Sequence, residues 1–355
     1  MGHSATTDIT HVQVPNVVIE AKPKPDAARC FAQAHEAWTK HEYDAALASF
    51  DAALAAASDS ESKVWALFWG AAVLEDEKRW AEAAARFARV HEAFPQHQLA
   101  LPSAVGALRL WTFIDAWQRV GPLAATLLSY DAQLSTSEQV AAHGSAALAA
   151  LAEGDDERAR RELNLGRRIV ERLHLDESSV WSRDMAVLYF AQGELRRHEA
   201  EAIGFADLHG DFAERFERRA QLVLDAQSAY LDSMRARDAH WSSYAGLRLS
   251  GMYLSLHDEV LRVPVPPEVP ADKREVFAGA MHLRFLVLLE KGFGILDRTL
   301  AMTERTGESS ERVDQARRQR AEIAARLERE RAFIDSLPVS RADLARVLQE
   351  IQARQ

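Results

Sequence analysis

From Asp26 onward, apolar and small side chains recur three and four residues apart, the spacing that gathers them on one side of an α-helix. The first pair of helices is predicted over residues 26–40 and 43–57, joined at Lys40-His41-Glu42, with Tyr43, Ala46, Phe50 and Ala53 on one stripe of the second helix. The pattern returns from Val64 to Asp76, turns at Glu77-Lys78-Arg79, and resumes with Trp80, Ala83, Phe87 and Val90 before Phe94-Pro95. Proline ends that helix because it has no amide hydrogen and crowds the preceding turn. Residues 99–130 predict two helices either side of Gly121-Pro122, with Trp111 and Trp117 in the first. Val140–Glu153, a Gly154-Asp155 turn, and a helix carrying Ala159, Leu163 and Gly166 follow. A further unit runs through Met185, Ala186 and Tyr189 to a turn at Gln192-Gly193-Glu194. The turn signals come about thirty-four residues apart, a period that belongs to stacked helical hairpins.

Toward the C-terminus the hairpins give way to longer segments. Helices are predicted over residues 211–238, 241–260, 273–303 and 309–335, with a short one after Pro338-Val339-Ser340, and prolines 264, 266, 267 and 270 interrupt regular structure. Before Asp26, Val12, Val14, Val17, Val18 and Ile19 stand beside Pro15, Pro23 and Pro25. This text reads as an extended arm, laid along the first hairpins, added to a partner's sheet edge, or left as a disordered lead-in.

The order small, aromatic, small in the second helix of a hairpin resembles the tetratricopeptide repeat family. Ala46, Phe50 and Ala53 match the three positions in the first unit, and Ala83 and Phe87 the first two in the second. Tyr43 and Trp80 match the aromatic that opens the second helix, and Pro95 the terminal proline. Gly154, Ala159 and Gly193 fall at corresponding places later in the chain, while Ala34 and Ala71 stand where the family has glycine. The resemblance implies an all-α fold, a tetratricopeptide-like helical-hairpin solenoid with long C-terminal helices. The expected organisation is an arm over residues 1–25, a partly degenerate solenoid over 26–205, a helical extension over 206–262 and a C-terminal helical module over 271–355. In such an array the first helices line the concave face, so the resemblance points to Arg29, Gln33 and Lys40 in one hairpin and Lys63, Leu67 and Leu74 in the next as a protein-binding groove. Basic side chains there suit a peptide carboxylate.

Composition narrows the function further. Eleven prolines and sixteen glycines in 355 residues are few, in keeping with helices throughout. A formal charge of −10 opposes broad capture of nucleic acid, and no specific nucleic-acid binding is expected. Mixed signs between Arg312 and Arg331 fit a solvated or partner helix better than a phosphate-binding stripe. Cys30 stands alone, which removes an intrachain disulfide and reads as a buried core thiol. No apolar run reaches the ~18 residues a membrane span needs, and Met1–Thr10 lack the basic and apolar regions of a signal peptide.

No enzyme motif is evident. His35-Glu36, His91-Glu92 and His198-Glu199 lack the second histidine one turn later, and Gly292-Phe293-Gly294 leads to no phosphate-binding lysine and hydroxyl. No catalytic residue, cofactor or metal site is expected. Trp65, Trp69, Trp111 and Trp117 are candidates for binding anchors, against the plainer reading that an alanine-rich array needs large side chains to fill its gaps.

The Val263-Pro264-Val265-Pro266-Pro267 linker beside long Glu/Arg-rich helices also resembles large repeat proteins of the deltaproteobacterial envelope, including those of myxobacteria. That likeness implies a periplasmic or outer-membrane-peripheral scaffold in a multiprotein envelope complex, with cytoplasm as the alternative. The expected function is a noncatalytic scaffold or adaptor for protein partners. A ligand-responsive regulator or enzyme with an unrecognised pocket, and a self-assembling structural protein, are the alternatives.

Overall fold

The computed structural model describes residues 25–177, 181–205, 212–267, 269–307 and 310–352. The arm expected before residue 25 lies outside these residues. The described residues form fourteen α-helices: α1 Pro25–Thr39, α2 Tyr43–Ala56, α3 Ser60–Asp76, α4 Trp80–Ala93, α5 Ala100–Phe113, α6 Trp117–Leu128, α7 Thr136–Ala152, α8 Asp156–Arg172, α9 Arg183–Glu201, α10 Phe212–Arg235, α11 Ala239–Leu261, α12 Arg274–Thr306, α13 Glu311–Ser336 and α14 Arg341–Gln352. The fold is all-α, with the pairwise neighbour packing of a helical-hairpin solenoid and with long C-terminal helices.

The first four hairpins close in one way. After α1, α3, α5 and α7 the chain passes through a left-handed residue, His41, Lys78, Asp115 and Gly154, with φ of 59°, 63°, 60° and 77°. The next amide then bonds back to a carbonyl five residues earlier, Glu42 to Ala37, Arg79 to Leu74, Ala116 to Trp111 and Asp155 to Ala150, at 2.8–2.9 Å. These are Schellman closures, which satisfy carbonyls left open at a helix end. Their positions 41, 78, 115 and 154 step by 37, 37 and 39 residues, a longer period than the spacing of about thirty-four read from side chains.

Two boundaries differ from the expected ones for local reasons. The third hairpin turns at Ile114-Asp115-Ala116, and Gly121-Pro122 lies inside α6, so Trp117 opens the second helix of the pair. Pro122 falls early in α6, where it removes one helical hydrogen bond without stopping the helix. Gln192-Gly193-Glu194 is not a turn, because α9 runs unbroken from Arg183 to Glu201. Gly193 serves packing there: a Cβ on it would stand 2.7 Å from the ring of Tyr230.

The chain divides into two compact units between Ala191 and Gln192, within α9. The pattern reading instead places boundaries at residue 205 and across 262–271. In the unit before Gln192, cores pass from hairpin to hairpin: Ala34, Ala46, Phe50 and Val73 join α1 to α3, Phe68, Phe87 and Leu110 join α3 to α5, and Leu108, Val120 and Ala142 join α5 to α7. This is nearest-neighbour stacking. In the unit from Gln192 onward, α12, α13 and α14 share a core through Leu289, Leu296, Ile323, Leu327 and Leu344, and Leu247 and Leu254 of α11 pack against it. Cys30, read as a core thiol, is only half-buried.

Candidate protein-interaction surfaces

The small and aromatic positions of the hairpins are structural. Ala46, Phe50, Ala53, Ala83, Phe87 and Ala159 are fully buried, whereas Tyr43 and Trp80 open α2 and α4 half-buried. Pro95 directly follows the C-cap residue of α4, Phe94. The six groove residues fall on two different surfaces. On α1, Arg29 and Gln33 are exposed and lie on the side away from Phe31, Ala34 and Trp38; Lys40, just past the end of α1, is exposed and paired with Glu36 at 2.7 Å. On α3, Leu67 and Leu74 are 2% and 1% exposed, and both belong to the core joining α3 to α5. They do not form an open groove with α1.

The side of α3 that meets α1 carries other residues. Trp65, Trp69 and Asp76 follow one another by four and seven positions and share a face. The Trp69 ring lies 5.7 Å from Trp38, 5.4 Å from His35 and 6.0 Å from Trp65. Trp38 Nε1 donates to Asp76 Oδ2 at 2.6 Å, and Trp65 Nε1 to Glu61 Oε1 at 2.9 Å. His97 Nε2 lies 2.9 Å from the other Glu61 oxygen. Burial alone would push the Glu61 carboxyl up, but the bonds from Trp65 and His97 outweigh it and hold it below the ordinary range. Burial lowers His35, so its ring enters the cluster as a neutral aromatic. Trp65 is buried, while His35, Trp38 and Trp69 remain half-buried, and the indole N–H of Trp69 has no hydrogen-bond partner among the described residues. Trp111 and Trp117, the other suggested anchors, are half-buried and pack against the core of α5–α7.

The opposite side of α3 opens between α2 and α4. There a cleft of about 550 Å³ has apolar walls of Leu54 and Ala55 from α2, Leu67 from α3, and Ala93 and Phe94 at the end of α4. Asp51, Lys63 and Arg89 supply its charges. Arg86 Nη2 donates to Asp51 at 2.5 Å, whereas Lys63 and Arg89 make no hydrogen bond or ion pair among the described residues.

Further along the first unit, Arg109 of α5 grips Asp184 of α9 through two parallel bonds, Nε to Oδ1 at 3.2 Å and Nη2 to Oδ2 at 2.9 Å. Thr112 Oγ1 donates to the Leu108 carbonyl at 2.8 Å and accepts from Ser145 Oγ of α7 at 3.0 Å.

In the second unit a buried polar group of contacts centres on Glu194. Tyr230 donates to its Oε1 at 2.5 Å, Arg197 reaches both oxygens at 2.9 and 3.4 Å, and Arg248 Nε lies 3.4 Å away. Burial would raise the Glu194 carboxyl, yet the two guanidiniums hold it low; burial and the adjacent carboxylate push the Tyr230 phenol far up. One group stays charged and the other neutral around neutral pH, so neither is poised to exchange a proton. The arginines of α13 are largely matched: Arg317 with Asp314, Arg318 with Glu311, Arg320 with Asp297, Arg326 with Asp258 and Arg331 with Glu290.

Among the described residues there is no group of three or more histidine, cysteine or acidic side chains placed to hold a metal ion, and no helix long and apolar enough to cross a membrane.

Neither a family model nor a curated protein matches the chain. Among solved structures, it is similar to a tetratricopeptide repeat protein from Parabacteroides merdae, at 12% sequence identity and a TM-score of 0.41, over 84% of this chain and 100% of that one.

Proposed function

We propose that this chain is a noncatalytic scaffold that holds protein partners on the faces of its helical hairpins. The observation that carries the reading is the half-buried aromatic cluster of His35, Trp38 and Trp69 across α1 and α3. Rigid aromatic rings that keep part of their surface in water are the side chains that dominate protein-protein affinity when covered. The linker of residues 263–267 and the long mixed-charge helices support extending the proposal to an assembly of the bacterial envelope, which fractionation of native cells tests separately.

The direct test is in-cell crosslinking and purification of the full chain, followed by identification of what is attached. A defined partner is expected, and the double variant His35→Ala, Trp38→Ala should reduce its recovery about tenfold, the effect of removing one strong anchor. Trp38→Phe, which keeps a ring but drops the bond to Asp76, should retain most of it. Undiminished recovery with a folded double variant, checked by circular dichroism, would sink this face as the binding site.

A further inference from the structure

The cleft between α2 and α4 combines an apolar floor with positive charge that nothing among the described residues neutralises. Leu54, Leu67 and Phe94 offer carbon surface, and Lys63 and Arg89 stand at its edge. Asp51, the acidic residue of the lining, is already satisfied by Arg86. With Arg86 included, the four charged groups carry three positive charges and one negative, a local excess of two in a chain whose formal charge is −10. Cations without a partner among the described residues also occur elsewhere, at Arg29 and Lys78 for example, and what sets Lys63 and Arg89 apart is that both line one cleft with carbon surface.

We infer that this cleft is a second docking site, and that its occupant is an acidic, apolar peptide segment of a partner protein: a leucine-sized or aromatic side chain on the floor, flanked by carboxylates that reach Lys63 and Arg89. Charge complementarity selects this occupant. A basic segment would meet two cations, and a purely apolar one would bury their edge without pairing them. A volume of about 550 Å³ holds a few side chains, which suits a short segment more than a folded domain. The inference rests on the scaffold reading for its premise that partners are proteins, but it names a different face of the array, turned away from the aromatic cluster by the body of α3.

Selection of a random peptide library displayed on phage, with the full chain as bait, tests it. The expected enrichment is for sequences with Asp or Glu next to Leu, Ile or Phe, whose binding falls at least tenfold with Lys63→Glu, Arg89→Glu and is retained with His35→Ala, Trp38→Ala. Lys63 and Arg89 lack partners among the described residues, so the charge-reversed chain should stay folded; Lys63→Gln, Arg89→Gln serves as a milder second variant with a smaller loss. Peptides that ignore both charge variants but are lost with His35→Ala, Trp38→Ala would overturn the cleft and leave the scaffold reading standing. No enrichment at all would overturn both. Displacement of the selected peptides by a synthetic peptide of residues 8–24 would assign the cleft to the chain's own N-terminal segment, and a concentration-dependent mass abolished by the charge variants would assign it to a second copy. Either result overturns the partner inference.

Discussion

His41, Lys78 and Asp115 hold a left-handed backbone that costs an ordinary side chain about 1–2 kcal/mol and costs glycine little. Gly154 occupies the same place in the fourth hairpin without that penalty. Lys78 is exposed, so replacing it removes strain without disturbing packing. Lys78→Gly should therefore raise stability by roughly 0.5 kcal/mol, the relief of strain less the extra freedom that glycine gives the unfolded chain. Gly154→Ala should lower it by roughly 1 kcal/mol, and open space around Gly154 means the effect is conformational and not steric. Urea unfolding midpoints of the two variants check the pair, and a loss of stability in Lys78→Gly would mean that the turn is held by its side chain. The turn glycine was legible in the sequence. The pattern also places the turns holding His41 and Lys78 but not the one at Asp115, and in none of the three does the side chain announce a left-handed backbone, so the true period of the hairpins stays hidden.

At the scale of the element, what joins helices far apart in sequence decides stability. The fork between Arg109 and Asp184 ties α5 to α9 across 75 residues, with side chains 25% and 11% exposed, so solvent screens it only partly. Charge-assisted, two-bond geometry of this kind is worth about 1.5–3 kcal/mol when one partner is lost. Asp184→Asn should cost that much, and a double-mutant cycle with Arg109→Gln should return a coupling of at least about 1 kcal/mol; a coupling near zero would reduce the pair to a surface contact.

The same scale shows where sequence reading succeeds. Ala46, Phe50 and Ala53 lie within one helix, and their order alone reports burial. Along α3, every residue from Val64 to Glu75 except Trp69 is buried, so no polar stripe marks which face looks where. Lys63 and Leu67 consequently read as neighbours of α1 although they face α2 and α4, and the contact of Trp69 with Trp38 and His35 went unnoticed. Gly193 reads as a turn residue, because the reason for its small size, the ring of Tyr230, lies in the next helix.

For the molecule as a whole, the buried ionisable groups set how stability responds to pH. His240 in α11 is 2% exposed and accepts a bond from Arg312 Nη1 at its Nε2, 2.6 Å away, while the same guanidinium lies 3.9 Å over the Tyr244 ring. Burial first, and the neighbouring positive charge second, push His240 well below its ordinary 6.5. The folded chain keeps the ring neutral, whereas the unfolded chain protonates it once the pH drops below that value. The unfolded state then binds more protons, so this contribution to stability is complete above 6.5 and is lost as the pH falls. His257 is lowered too and acts in the same direction, and Glu194, held below its ordinary 4.5, adds to acid sensitivity only at lower pH. Between pH 7.5 and 5.5, His240 should remove about 1.4 kcal/mol, the linkage of one proton across one pH unit. Hydrogen exchange of the α11 amides, corrected for its intrinsic pH dependence, measures this within the unit that holds the residue. Protection should fall by about that much more in the native chain than in His240→Gln, even if the variant starts less stable, because glutamine takes up no proton. Equal falls in the two proteins would show that His240 is protonated in the folded state, and that Arg312 yields its place beside the ring on acidification.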